Sequence, residues 1–127
     1  MILGIGTDLV DVARIRKTIA DYGERFVNRV YTEAERAYSS SKANAAERFA
    51  ARFAAKEAAM KAIGTGWRRG VTWKDFEILN ERSGRPTLRF SGMGLQIAKQ
   101  MGVKRTSISL THTSEIAMAT VILEDGP

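Results

Sequence analysis

The segment Ala45–Ile63, AAERFAARFAAKEAAMKAI, constrains this chain more than any other stretch. Alanine, the strongest helix former, dominates it. Asn44 stands in front as an N-cap. Gly64 stops it, with Gly66 just behind. The spacing predicts one long helix over 45–63, with small side chains that let another backbone or a ligand come close.

Shorter elements are expected around it. Ile2 and Ile5 mark a strand over 2–6, where Gly4 and Gly6 suit a close backbone approach. A turn at Thr7-Asp8 follows. Val12, Ile15 and Ile19 then repeat at helical spacing over Asp11–Ala20. Residues 24–30 read as a weaker helical turn, and Thr32 with Glu35 forms a capping-box signature that starts another helix. Past Gly66 the period changes. Residues 74–81 alternate as a strand, Ser83–Pro86 is a turn, and Thr87–Phe90 is a second strand. A helix over Ser91–Met101 closes at Gly102. Residues 106–111 and 116–124 make a hairpin around His112–Glu115. Helices first and strands later predict an α+β fold, a single domain over 1–127 in which an antiparallel sheet packs against the long helix.

Composition removes whole classes of chemistry. With no cysteine and one histidine, disulfides, thiolate nucleophiles, Cys-based zinc sites and multi-histidine metal sites within one chain are excluded. Any metal must be held mainly by oxygen, which points to magnesium or manganese. No apolar run approaches the ~20 residues that span a bilayer. The start carries no basic leader and long apolar stretch, so a cytoplasmic location is expected. The net charge of +6 favours polyanionic partners.

Familiar nucleotide motifs are missing. Leu9 stands where a dinucleotide fingerprint needs its third glycine, and Trp67 follows Gly64-Thr65-Gly66 where a phosphate-binding loop would continue. No Gly-x-Ser-x-Gly elbow exists. Asp8 reads either as a turn aspartate capping the next helix or as a rigidly aimed metal ligand. Glu57 and Lys61, four apart, share a helix face; they make a surface ion pair or face a ligand. His112 stands between Thr111 and Thr113, in a setting that suits phosphate.

Five stretches occur in one order: GIGTDLVDVARI at 4–15, RFAARFAAKEAAMKAIGTG at 48–66, KDFEIL at 74–79, SGRP at 83–86 and SLTHTSEIAMATVILE at 109–124. In this the chain resembles the holo-acyl-carrier-protein synthases, the short trimeric class of 4′-phosphopantetheinyl transferases. The resemblance implies transfer of phosphopantetheine from coenzyme A to a serine of an acidic apo acyl carrier protein, supporting fatty acid biosynthesis. Asp8 and Glu57 would bind magnesium. Lys61 would meet phosphate oxygens or protonate the departing group. Glu57 or a metal-bound water would act as base. Arg52, Lys61, Gly64, Thr65, Gly66, Pro86, His112 and Thr113 would contact coenzyme A in a site between subunits of a homotrimer. Arg14, Arg16 and Lys17 would receive the carrier.

Two other readings stay open at this stage. Arg68, Arg69 and Lys74 near Trp67 and Trp73 suit a nucleic-acid module, although no nucleic-acid signature accompanies them. A structural trimer without chemistry leaves Asp8, Glu57, Lys61 and His112 unexplained together.

Overall fold

In the computed structural model, which describes residues 1–126, the alanine-rich segment forms helix α4 (Ala45–Ala62). Its alanines are buried around most of the helix circumference and not along one stripe. A helix apolar on several sides belongs at the centre of a fold, and α4 is the element on which the others pack.

One side of α4 lies on a three-stranded antiparallel sheet in the order β1-β5-β4. Its strands are β1 (Ile2–Asp11), β4 (Arg105–His112) and β5 (Ile116–Glu124). Four of its inward positions are small: Gly4, Gly6, Ala117 and Ala119. A Cβ on Gly6 would stand 1.8 Å from the Ala58 carbonyl oxygen, and one on Gly4 2.1 Å from that of Ala62. Strand backbone and helix backbone are therefore in direct contact, and no side chain fits between them.

The other side of α4 is covered by α1 (Val12–Tyr22), α2 (Glu24–Val30), α3 (Glu33–Ser40) and a separate two-stranded sheet of β2 (Phe76–Asn80) and β3 (Pro86–Phe90). Helix α5 (Gly92–Met101) follows and closes at Gly102, whose φ of 88° lies in the left-handed region glycine favours. A buried ion pair holds this half together. Lys56 Nζ is 2.8 Å from Glu35 Oε1, with both side chains at 0% exposure. Lys56 also donates to the carbonyls of Trp73 and Phe76, and Glu35 accepts the Ile78 amide. Such a pair needs its remaining donors and acceptors filled to offset desolvation, and here backbone groups of the β2 approach fill them.

The α+β class, the long helix, the final hairpin and the Thr32–Glu35 capping box match the sequence expectations. Five details differ. The first strand does not end at Gly6: Thr7 and Asp8 pair with Thr120 and Ala119, so the ladder to β5 overrides the local turn signal. Asn44 precedes α4, but its side-chain oxygen accepts from Arg48 and not from a backbone amide. Residues 73–75 form a short 3-10 turn, its Asp75 carboxylate accepting the Thr72 amide, so the strand starts at Phe76. Pro86 opens β3 and does not lie in the turn, which closes through Glu81 and Arg85. Residues 24–30 are a full helix.

Candidate active site

Strand β1 and helix α4 bring three of the predicted residues together. Asp8 faces α4 two residues beyond Gly6, where the close backbone packing fixes its position. Lys61 Nζ lies 3.2 Å from Asp8 Oδ1 and donates to the Thr7 carbonyl at 2.9 Å. The second carboxylate oxygen, Asp8 Oδ2, is buried and has no hydrogen-bond partner among the described residues. Glu57, one turn before Lys61, has its carboxyl pushed above the ordinary range, first by burial and then by the neighbouring Asp8. Lys61 and Arg14 act in the opposite sense. Asp8 does not cap the following helix: Asp11 precedes α1, and no side chain caps it.

This donor set suits a hard cation. Two carboxylates converge, one with an unpartnered oxygen, and among the described residues no third Asp, Glu or His joins them. Magnesium is usually held by one or two carboxylates plus water and substrate phosphates, so an incomplete protein shell is what such a site requires.

A second cluster sits toward the other end of α4. Arg52, Pro86 and His112 line one cavity of about 140 Å³ with Tyr38, Arg48 and Asn80. Arg52 is 2% exposed, donates to Asn80 Oδ1, and lies 4.2 Å over the Tyr38 ring. Its Nε has no partner among the described residues, and burial lowers its pKa. A buried guanidinium without a carboxylate partner favours an anion beside it. The cavity is smaller than the ~300–1,000 Å³ usual for ligand sites, so in one chain it amounts to part of a pocket. Glu47, at the His112 end, and Lys61 are fourteen positions apart on α4, about 21 Å along the axis.

The remaining residues that the resemblance assigns to coenzyme A have local duties. The amides of Gly64, Thr65 and Gly66 donate to Lys61 and Met60 carbonyls and close α4. They are not free to cradle phosphate through backbone N–H groups, so the second glycine serves the cap; both glycines have positive φ. Thr113 Oγ accepts the Glu115 and Ile116 amides in the hairpin turn, which leaves its own proton to donate.

Of the three basic residues on α1, only Arg14 lines the groove that contains Glu57. Arg16 lies about 200° away around the helix, and Lys17 pairs with Asp21 at 2.7 Å. The groove continues where sequence reading found little. Phe26, Arg29, Trp67 and Trp73 share it with Arg14 and Glu57, and Tyr22, Arg25, Phe26 and Arg29 line an adjoining apolar hollow. Arg25, Phe26 and Arg29 have the spacing of one helix face on α2, a signal that could have found them, and Tyr22 joins them from the end of α1.

A family model described as the 4′-phosphopantetheinyl transferase superfamily matches residues 4–121. The chain is 59% identical over 125 residues to a protein of Koribacter versatilis named holo-[acyl-carrier-protein] synthase, covering 98% of this chain and 100% of the relative. The crystal structure of holo-[acyl-carrier-protein] synthase from Neisseria meningitidis superposes with a TM-score of 0.89 at 32% identity, covering 98% of this chain and 99% of that one. A Bacillus anthracis holo-(acyl-carrier-protein) synthase solved in complex with CoA (3′,5′-ADP) gives 0.82 at 35% identity, covering 99% of both chains.

Proposed function

This chain belongs to the 4′-phosphopantetheinyl transferase superfamily, and from that premise we propose how its residues move phosphopantetheine from coenzyme A to a serine of an apo acyl carrier protein. The products are holo carrier protein and adenosine 3′,5′-bisphosphate, in support of fatty acid biosynthesis. The observation that carries the residue assignment is the Asp8–Glu57 pair with its unpartnered Asp8 Oδ2.

Asp8 and Glu57 would hold magnesium, or manganese in its place; when bound, the ion offsets the diphosphate charge and polarises the reacting phosphorus. The serine oxygen forms a bond to the β-phosphorus while the bond to the α-phosphate oxygen breaks. Glu57 takes the serine proton as general base. Lys61 turns its ammonium from Asp8 to the departing phosphate. Arg52, His112 and Pro86 hold the nucleotide, with Gly64, Thr65, Gly66 and Thr113 at the margins of that site.

The carrier is proposed to dock on the Arg14 side of α1 and on α2. Arg14, Arg25 and Arg29 there surround an apolar floor of Tyr22 and Phe26 beside Glu57. A positive rim around an apolar floor steers and then seats an acidic, amphipathic helix. Lys17 and Arg16 contribute long-range attraction only.

A homotrimer is part of this reading. The outer face of the three-stranded sheet exposes Ile5, Leu9, Ile116 and Met118, with Leu9 at 64%. An apolar patch of this kind marks an interaction surface, and a second copy would also supply the missing wall of the Arg52–His112 cavity. Residues 1–127 are proposed to act as one domain in the cytoplasm. Among the described residues no helix is long and apolar enough to cross a membrane.

The test is intact-mass spectrometry of an apo carrier protein incubated with this protein, coenzyme A and magnesium, with and without chelator. A gain of roughly 340 daltons, the covalent mass of one phosphopantetheine, that disappears with chelator is the expected result. No gain with several apo carriers would overturn the reading.

A further inference from the structure

His112 ends β4, and its ring is not free to turn. Its Nδ1 lies 2.9 Å from Oε1 of Glu47, on the first turn of α4. An ionised carboxylate only accepts, so Nδ1 carries the hydrogen in this contact. Both side chains are largely covered, at 25% and 22% exposure. With Nδ1 engaged, Nε2 is the ring atom left to meet a ligand, and the ring borders the cavity lined by Arg48, Arg52 and Tyr38.

That cavity is built for an anion. Tyr38 stacks with both guanidiniums, 5.8 Å from Arg48 and 4.2 Å from Arg52, and its hydroxyl is 3.4 Å from Arg48 Nη1. Among the described residues neither arginine has a carboxylate partner within salt-bridge distance. Of the two acids nearby, Glu35 is paired with Lys56 and the carboxylate of Glu47 is turned to the imidazole.

We propose that Glu47 is a positioning residue of the coenzyme site: it accepts from Nδ1–H and fixes the His112 ring so that Nε2, protonated in the complex, donates to a phosphate oxygen of the nucleotide beside Arg48 and Arg52. The proposal rests on the reading that His112 contacts coenzyme A. At metal sites, carboxylates that orient an imidazole change metal affinity by about 10–100-fold when removed, and the lower end of that range is the expectation for a phosphate here. No atom of Glu47 touches substrate, so its loss acts on binding and leaves the chemical step alone.

Steady-state kinetics on Glu47→Ala, Glu47→Gln, His112→Ala and the Glu47→Ala/His112→Ala double variant test this, with thermal melts to confirm folding. Glu47→Ala is expected to raise KM for coenzyme A about tenfold with kcat within about twofold of the parent. Glu47→Gln keeps an acceptor for Nδ1–H and should stay near the parent KM. The double variant should be no worse than His112→Ala. Calorimetric titration with adenosine 3′,5′-bisphosphate should show the same ranking, and adenosine 5′-phosphate as a second probe tells which phosphate is met. Equal losses from Glu47→Ala with and without His112, or a fall in kcat at constant KM, would overturn the positioning role alone. An unchanged KM in His112→Ala would overturn the coenzyme-site reading and this inference with it.

Discussion

Lys61 bridges to Asp8 across the β1–α4 contact: its ammonium lies 3.2 Å from one carboxylate oxygen while the other oxygen is buried without a partner. One group is thus neutralised on one side and open on the other. Lys61 is half exposed, so it can leave Asp8 for a phosphate. Lys61→Ala is expected to lower kcat on the order of a hundredfold, the usual cost of losing one donor to developing charge. Single-turnover transfer followed by mass spectrometry checks this, and an unchanged rate would remove Lys61 from the chemistry.

Glu57 is held where its charge is disfavoured, by burial first and by Asp8 second. Glu57→Gln removes that conflict. The metal-free variant should melt above the parent at neutral pH, while turnover disappears. Magnesium should raise the melting temperature of the parent and not of the variant, since only the parent gains binding energy in the folded state. A lower melting temperature for metal-free Glu57→Gln would contradict the conflict inferred here.

Gly6→Ala places a methyl against the Ala58 carbonyl, and the Ala62 amide nitrogen is only 2.9 Å from the same point. Neither neighbour is a flexible side chain, so the strand must move. The expected cost is about 1–3 kcal/mol by overpacking, read from urea unfolding. Catalysis should fall by more than the folded fraction does, because Asp8 moves with the strand.

Arg14→Glu should weaken carrier binding at least about tenfold, the loss expected for reversing a charge at a steered interface, with coenzyme A binding unchanged. Arg16→Glu, on the opposite flank of α1, should do little. Titration of apo carrier at low and moderate salt separates them. Equal effects would show that only net charge matters.

Lys56→Met leaves Glu35 charged and buried, with the Ile78 and Thr32 amides still pointing at it. Breaking one side of such a pair costs about 3–5 kcal/mol. Replacing both partners by apolar side chains should not add the two single losses, because it removes the stranded charge. Chemical denaturation of the three variants decides.

What the sequence revealed followed the physics of each signal. Helix α4 was legible from alanine density and its closing glycines, and the final hairpin from period-two alternation. The extension of β1 through Thr7 and Asp8 was not, since the pair looks like a local turn and only the distant β5 strand makes it a ladder. Gly64 and Gly66 read as the stop of the long helix, and their amides, with that of Thr65, do close α4. Glu35 read as an N-terminal capping residue, which it is; nothing local said that its capping oxygen would also meet Lys56, and its other oxygen Ile78, in the core. Glu47 carried no signal at all, because its partner lies 65 residues away.

The glycine contact between β1 and α4 also defines what can be transplanted. Because backbone rests on backbone at Gly4 and Gly6, the spacing of Asp8 from Glu57 depends on no intervening rotamer. Either carboxylate can be exchanged for another ligand type without repacking what lies beneath. Moving the pair into a different scaffold, in contrast, requires carrying the strand and the helix as a single welded unit, for the two carboxylates alone hold no memory of their separation.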